Sequence, residues 1–224
     1  MSTSVVLNMS ISLENASVII AHQHTLLTEQ KSLLVAISGI DGAGKGYIAN
    51  KLASVLAQQD LRIATINIDG WLNLPAKRFS QLNPAEHFYQ NAIRFDELFD
   101  KLVFPLRDRG SLYLEADYAE ETAIAYRKHV YQFEHIDVIL LEGIYLLKRQ
   151  FQAHYDVSFW IECSFETALE RAIARSQEGL SPEATVKAYQ TLYFPAQEIH
   201  FERDQPQTAA TAIVNNDSRL KITP

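Results

Sequence analysis

Residues 33–58 read LLVAISGIDGAGKGYIANKLASVLAQ. The first six form a short, almost unbroken apolar run, the pattern of a parallel strand covered on both faces. Residues 45–58 place Ile48, Leu52, Val55 and Leu56 at helical spacing. Between strand and helix lies Gly39-Ile40-Asp41-Gly42-Ala43-Gly44-Lys45-Gly46. Glycines let a chain curl so that successive N–H groups point inward, and the helix that follows adds the positive end of its dipole. Such a curl suits an anion with several oxygens, and Lys45 adds a mobile positive charge beside it.

The string has the form GxxxxGK, which by itself is a weak signal. A buried strand feeding it and an amphipathic helix leaving it supply the context that phosphate binding requires. Gly39, Asp41, Gly42, Ala43, Gly44, Lys45, Gly46 and Tyr47 are therefore the residues expected to hold ATP. The full pattern calls for Ser or Thr where Gly46 stands, because that hydroxyl normally ligates Mg²⁺. Either a water replaces it or nearby carboxylates carry more of the metal; Tyr47, one residue along, is poorly placed to substitute.

Outward from this stretch a βα rhythm continues. Arg62–Ile68 is a second strand, stopping at Asp69-Gly70, and Val138–Leu141 is a third, stopping at Glu142-Gly143. Val157–Ile161 is a fourth, a helix opens at Ser164, another begins at Ser181-Pro182, and Ala212–Val214 is a last short strand. Asn83-Pro84-Ala85-Glu86 reads as a helix start, with Asn83 capping and Glu86 reaching back, and that helix should run to about Leu102 and end near Pro105. Ser111–Ala116 is a short extended piece. Strands alternating with helices imply a parallel sheet with helices on both faces. Residues 1–30 carry apolar runs at Ser4–Leu13 and Ser17–Ala21 and are read as an appendage packing on a domain that spans 31–224.

In open parallel sheets ligands sit beyond the carboxyl ends of the strands. Asp69 and Glu142 both fall there. Taken alone, Asp69-Gly70 is an ordinary turn and Glu142-Gly143 an ordinary loop. Sharing an edge with a phosphate loop makes Asp69 a natural acceptor for a hydroxyl proton and Glu142 a metal-associated acid.

The bulk composition narrows the classes. The chain has 224 residues, 47% hydrophobic and 21% charged, which is a globular composition of one sizeable domain. A formal net charge of −7 argues against a broad nucleic-acid or anionic-membrane surface. One cysteine, Cys163, excludes an internal disulfide and suggests a reducing compartment such as the cytoplasm. The first thirty residues hold no Lys or Arg, so the basic start of a secretory signal is missing, and no apolar run reaches membrane-spanning length.

Together GIDGAGKG at 39–46, IDGW at 68–71, VILLEGIY at 138–145 and a two-arginine helix at 164–177 resemble the uridine kinase and phosphoribulokinase family of P-loop kinases. The likeness runs from about Ser32 to Asn215. It implies a P-loop NTPase-like α/β fold, with a small acceptor-binding insertion at roughly 72–135 and a lid. It also implies ATP and Mg²⁺ as cofactors, Asp69 as catalytic base with a share in the metal, and Glu142 as the metal-associated acid. Lys45, Arg171 and Arg175 complete the catalytic set. The two arginines, four apart on one helix face, correspond to lid arginines that close over the phosphates, although the same face with Glu166 and Glu170 also reads as solvated. The acceptor segment corresponds to Asp117-Tyr118 through Tyr126-Arg127-Lys128, with spacing that departs from the family. Trp71, His87, Tyr118 and Arg127 are the candidate acceptor contacts, with Arg78 and Tyr89 as further candidates. A nucleoside such as uridine is the acceptor the kinship implies. A sugar phosphate or another metabolite alcohol, or a nucleotide-binding sensor with little chemistry, are the alternatives. The expected partner is a small molecule, with neither nucleic acid nor membrane, and self-association is left open.

Overall fold

The apolar run at 33–39 becomes an inner strand of a six-stranded, all-parallel sheet in the computed structural model, which describes residues 10–27, 31–176 and 179–220. Its first elements are β1 (Ser10–Ile11), α1 (Leu13–Thr25), β2 (Leu33–Gly39), α2 (Lys45–Ala57) and β3 (Ile63–Asn67). Next come α3 (Pro75–Arg78), α4 (Pro84–Asn91), α5 (Phe95–Leu98) and α6 (Phe104–Arg109). Strands β4 (Leu112–Tyr118), β5 (Arg127–Phe133), β6 (Val138–Gly143) and β7 (Val157–Glu162) follow. The chain closes with α7 (Phe165–Arg175), α8 (Pro182–Ala188), α9 (Phe194–Asp204), α10 (Pro206–Ala209) and β8 (Ala212–Asn215).

The sheet order is β1-β8-β7-β2-β6-β3. Every residue of β2 and β6 is buried, so both faces of the sheet are covered there. Register fixes the functional edge. Ser38 pairs with Gly143 and Ile37 with Glu142, while Asn67 of β3 also pairs with Glu142. The ends of β2, β6 and β3 are therefore level, and the residues that follow them share one edge of the sheet.

Four features differ from the sequence expectation. Residues 10–25 are part of the domain itself, because β1 pairs with β8 and α1 buries Ala16 and Ile20 in the core; residues 1–9 and 28–30 lie outside the described residues. The helix foreseen from 83 to 102 is interrupted. Asn73 and Arg94 N–H groups donate to the carbonyls of Ala92 and Trp71, so residues 92–94 pair with 71–73 instead of continuing the helix. Asn83 makes no side-chain cap, and Glu86 pairs with Arg203.

Pro105 does not end its helix either. A wide turn at Phe99–Val103, in which the Phe104 N–H donates to Phe99 O five residues back, precedes the proline that has no N–H to give, and the helix continues to Gly110. The same device recurs at Tyr189–Tyr193 ahead of Pro195. Finally, the extended piece at 111–116 is one arm of an antiparallel hairpin, β4 with β5, whose second arm the sequence reading did not foresee. Among the described residues no helix is long and apolar enough to cross a membrane.

Candidate active site

The phosphate loop leaves β2 at Gly39 and enters α2 at Lys45. Gly42 and Gly44 hold φ of +80° and +87°, the left-handed region that side chains disfavour. Space forbids a side chain as well, since a Cβ on Gly42 would stand 2.6 Å from Ala168 O and one on Gly44 2.3 Å from Asn216 Nδ2. The outward carbonyls of the loop are tied down. Arg171 Nη1 donates to Gly42 O (3.3 Å) and Ala43 O (3.2 Å), Arg171 Nη2 to Asn216 O (2.7 Å), and Asn216 Nδ2 to Ala43 O (2.8 Å). Helix α2 has no side-chain cap, which leaves the N–H groups of its first turn for a ligand. Lys45, 8% exposed, rests its ammonium on Ile40 O at 3.0 Å.

Two carboxylates face this loop. Asp69 sits in a one-turn helix, Ile68–Gly70, its N–H donating to Asn67 Oδ1 at 2.7 Å. Asp69 is exposed on the cleft side, while surrounding protein crowds its carboxyl from the other sides. This loss of water raises its pKa, Lys45 opposes the rise, and Asp41 adds to it. Glu142, 6% exposed, is pushed up to about 7, by burial first and by Asp69 in addition, against the pull of Lys45. A Cβ built on Gly46 would stand 3.4 Å from Glu142 Oε1. The carboxylate thus lies beside the position where the pattern calls for Ser or Thr.

This donor set fits Mg²⁺. An acid whose proton affinity is raised by burial and by a neighbouring carboxylate, as that of Glu142 is, gains from a divalent cation, and Mg²⁺ is usually held by one or two carboxylates together with substrate phosphates and waters. Among the described residues no cluster of three or more His, Cys, Asp or Glu could hold a metal alone, so phosphate oxygens would have to complete the shell.

Beside the loop lies a cavity of about 70 Å³, with Lys45, Asp69, Asp41, Arg78, Arg175 and Tyr189 in its wall. Arg175 stands 3.5 Å from Asp41, and the Tyr189 hydroxyl also donates to that carboxylate. On the far side of Asp69-Gly70 a second, open cleft is bordered by Tyr118, His129 and Tyr131 of the hairpin. A Cβ on Gly70 would collide with the Tyr118 ring at 2.4 Å, so hairpin and strand end are in close contact.

Lys45, Asp69 and Glu142 are brought together at the loop, with Arg175 at the cavity wall. Arg171 lies against the back of the loop, its guanidinium on the carbonyls of Gly42, Ala43 and Asn216. Trp71 is corrected as an acceptor contact. It is fully buried, stacked on Tyr131 with ring centroids 5.8 Å apart, and belongs to the core. His87 does not line the cavity, its Nε2 lying 2.9 Å from Lys77 O. Tyr47 is exposed on α2, beneath the Lys51 ammonium. Arg127 is exposed, over the Tyr118 ring at 4.4 Å and paired with Glu120. Tyr89 donates to Asp204 Oδ2 at 2.6 Å in a buried network that includes His200. Tyr189 and Asn216 were missed; neither carries a sequence signal, because both reach the loop only through the tertiary fold.

No family model matches the chain. A 61-residue stretch, 27% of the chain, is 38% identical to part of CTP synthase 2 from Xenopus laevis, but it spans only 11% of that protein. Solved structures resemble the whole fold. A protein described as a possible uridine kinase from Bacillus stearothermophilus superposes with a TM-score of 0.69 at 17% identity, covering 90% of this chain and 98% of that one. One assigned as a fructose transport system kinase from Silicibacter sp. gives 0.66 at 20% identity, over 92% and 99% of the two chains. D-glycerate 3-kinase from Cryptococcus neoformans var. grubii gives 0.66 at 12% identity, over 95% and 97%. At these identities the likeness shows the fold: the chain is a P-loop NTPase-like α/β protein built as these kinase structures are.

Proposed function

We propose that this chain is a small-molecule kinase of the uridine kinase and phosphoribulokinase type. It would bind ATP on Gly39–Gly46 and pass the γ-phosphoryl group to a hydroxyl of an acceptor held on the 72–135 side. The observation that carries the reading is the convergence of Lys45, Asp69 and Glu142 on one sheet edge, over a phosphate-shaped loop and beside a cavity that Asp69 enters. The cytoplasm would be its location, and a small molecule rather than nucleic acid or membrane its partner.

In the transfer, the acceptor oxygen attacks the γ-phosphorus while the bond to the β,γ-bridging oxygen breaks. ADP leaves with that electron pair, and the acceptor's proton passes to the Asp69 carboxylate. Loss of water around Asp69 raises its proton affinity, which suits a base. Lys45 meets the charge of the outer phosphates, and Arg175 is assigned to the transferring group. Arg171 and Asn216 keep the loop curled. Magnesium, held by Glu142 with Asp69 and by phosphate oxygens, would supply neutralisation of the triphosphate when bound. Phosphoryl transfer is loose, so position and charge account for most of the acceleration.

A nucleotide sensor of the same fold is favoured by one observation, Gly46 in place of a hydroxyl residue. The approach of Glu142 to that flank weighs against it. ADP release with ATP and Mg²⁺ should be followed across nucleosides, sugar phosphates and metabolite alcohols, in parent and Asp69→Asn proteins. One acceptor should respond, and Asp69→Asn should keep ATP affinity within about threefold while turnover falls by roughly 10² or more. Equal turnover in that variant removes the role given to Asp69. ATP-raised melting with no responding acceptor establishes the sensor instead.

A further inference from the structure

The arginines differ in how their charge is met. Arg175 faces Asp41, Arg94 pairs with Glu97, and Arg107 pairs with Asp156. Arg171 has no carboxylate either but spends its donors on three carbonyls, whereas Arg78 has a single carbonyl partner. Arg78 is the last residue of α3, 3% exposed, and its guanidinium lies against the Phe79 ring at 4.8 Å. One Nη2 hydrogen bond, 2.6 Å, goes to the carbonyl of Glu121. The Nε has no partner, and among the described residues no carboxylate lies within ion-pairing distance of the group.

A guanidinium does not lose its proton in a protein, so burial cannot neutralise it. A buried charge without a counter-ion is among the most costly arrangements a fold can keep. This one lines the same cavity as Lys45 and Asp69. Lys45 and Arg175 are committed to the loop and to Asp41, whereas Arg78 presents unfilled donors where an acceptor would lie.

We propose that the acceptor carries its own anionic group, a carboxylate or a phosphate, which Arg78 holds while the acceptor's hydroxyl is presented to Asp69. Planar paired donors make arginine the side chain best matched to those two groups. The cavity agrees in size. At ~15 Å³ per water-sized position, about 70 Å³ holds about five such positions, which suits a short hydroxy acid or the end of a sugar phosphate better than a nucleoside ring. This inference rests on the kinase reading and narrows it to a substrate class.

The test measures binding, apart from turnover. The loop is filled with a non-hydrolysable ATP analogue and Mg²⁺, and glycerate, glycerol 3-phosphate, glycerol and uridine are titrated by calorimetry into the parent, Arg78→Met and Arg78→Lys proteins. One anionic compound should bind the parent and bind Arg78→Met at least 30-fold more weakly, with Arg78→Lys between the two. Whether the carboxylate or the phosphate responds identifies the source. Analogue affinity should stay the same in all three proteins, and ligand-free Arg78→Met should melt no lower than the parent, because its loss removes an uncompensated charge. Anion binding that ignores Arg78, binding of glycerol or uridine alone, or no binding by any of the four overturns the inference while the kinase reading stands. A parent protein that fails to bind the analogue removes both readings.

Discussion

Glu142 is held in a state that costs the empty protein stability. An ordinary glutamate titrates at 4.5, and burial beside Asp69 pushes this one up to about 7. Because the folded value lies above the unfolded one, the native state holds the proton more tightly between those two pH values. Stability therefore rises as pH falls from about 7 toward 4.5, and the full cost applies above about 7. At ~1.4 kcal/mol per pH unit the gap is worth about 3 kcal/mol at pH 8. Glu142→Gln keeps the shape and removes the charge. The variant should be more stable than the parent by up to about 3 kcal/mol at pH 8, or roughly 6–12 °C in melting temperature for a chain of this size. The difference should shrink below about 1 kcal/mol at pH 5.

Urea melts of both proteins, without nucleotide, at pH 5, 6, 7 and 8 read this directly, since other titrating groups cancel in the comparison. Calorimetry gives the opposite sign for the ligand. Mg²⁺–ATP should bind the variant at least ~10-fold more weakly, and its binding to the parent below pH 7 should release protons. A variant less stable than the parent at pH 8, or a difference that does not change with pH, would refute the reasoning.

Lys45→Ala removes the charge proposed to meet the outer phosphates and should weaken ATP by about 100-fold in a titration, with the fold intact by circular dichroism. Gly44→Ala meets both a φ of +87° and an Asn216 Nδ2 at 2.3 Å, so it should cost ~1–3 kcal/mol in urea and abolish the rise in melting temperature that ATP gives the parent. Arg171→Lys cannot reproduce a fork that reaches Gly42 O, Ala43 O and Asn216 O together; KM for ATP should rise ~10-fold with kcat changed less, as expected of a residue that positions the loop.

Much of the site could be read from the sequence because local rules decide it. An apolar run, a glycine-rich curl and an amphipathic helix each impose their own geometry, and register then aligns Asp69 and Glu142 with the curl. What could not be read depends on distant partners. Phe104-Pro105 looks like a helix end until a widened turn accommodates the proline that has no N–H. The 83–102 segment breaks because 92–94 finds backbone partners at 71–73. Arg171 and Arg175 share a helix face, but one turn is ~5.4 Å of rise. That offset puts the first against the loop's carbonyls and the second against Asp41. Trp71 reads as an acceptor contact because aromatic side chains serve cores and pockets alike, and only burial separates the two.

The departures from an ordinary phosphate loop fit one another. Removing the hydroxyl at 46 would leave a metal under-ligated if nothing else changed, yet a carboxylate stands 3.4 Å from where the side chain would begin. That carboxylate is nearly dry, faces a second acid, and titrates near neutrality as a result. A protein selected only for stability would discard such a pair, and it would discard a buried arginine without a counter-ion as well. Asp69 links the two ends of this arrangement, acting on Glu142 beside the loop and sharing the wall of the small cavity with Arg78. A metal–triphosphate on the loop side and an anionic acceptor beside Arg78 would meet these charges together.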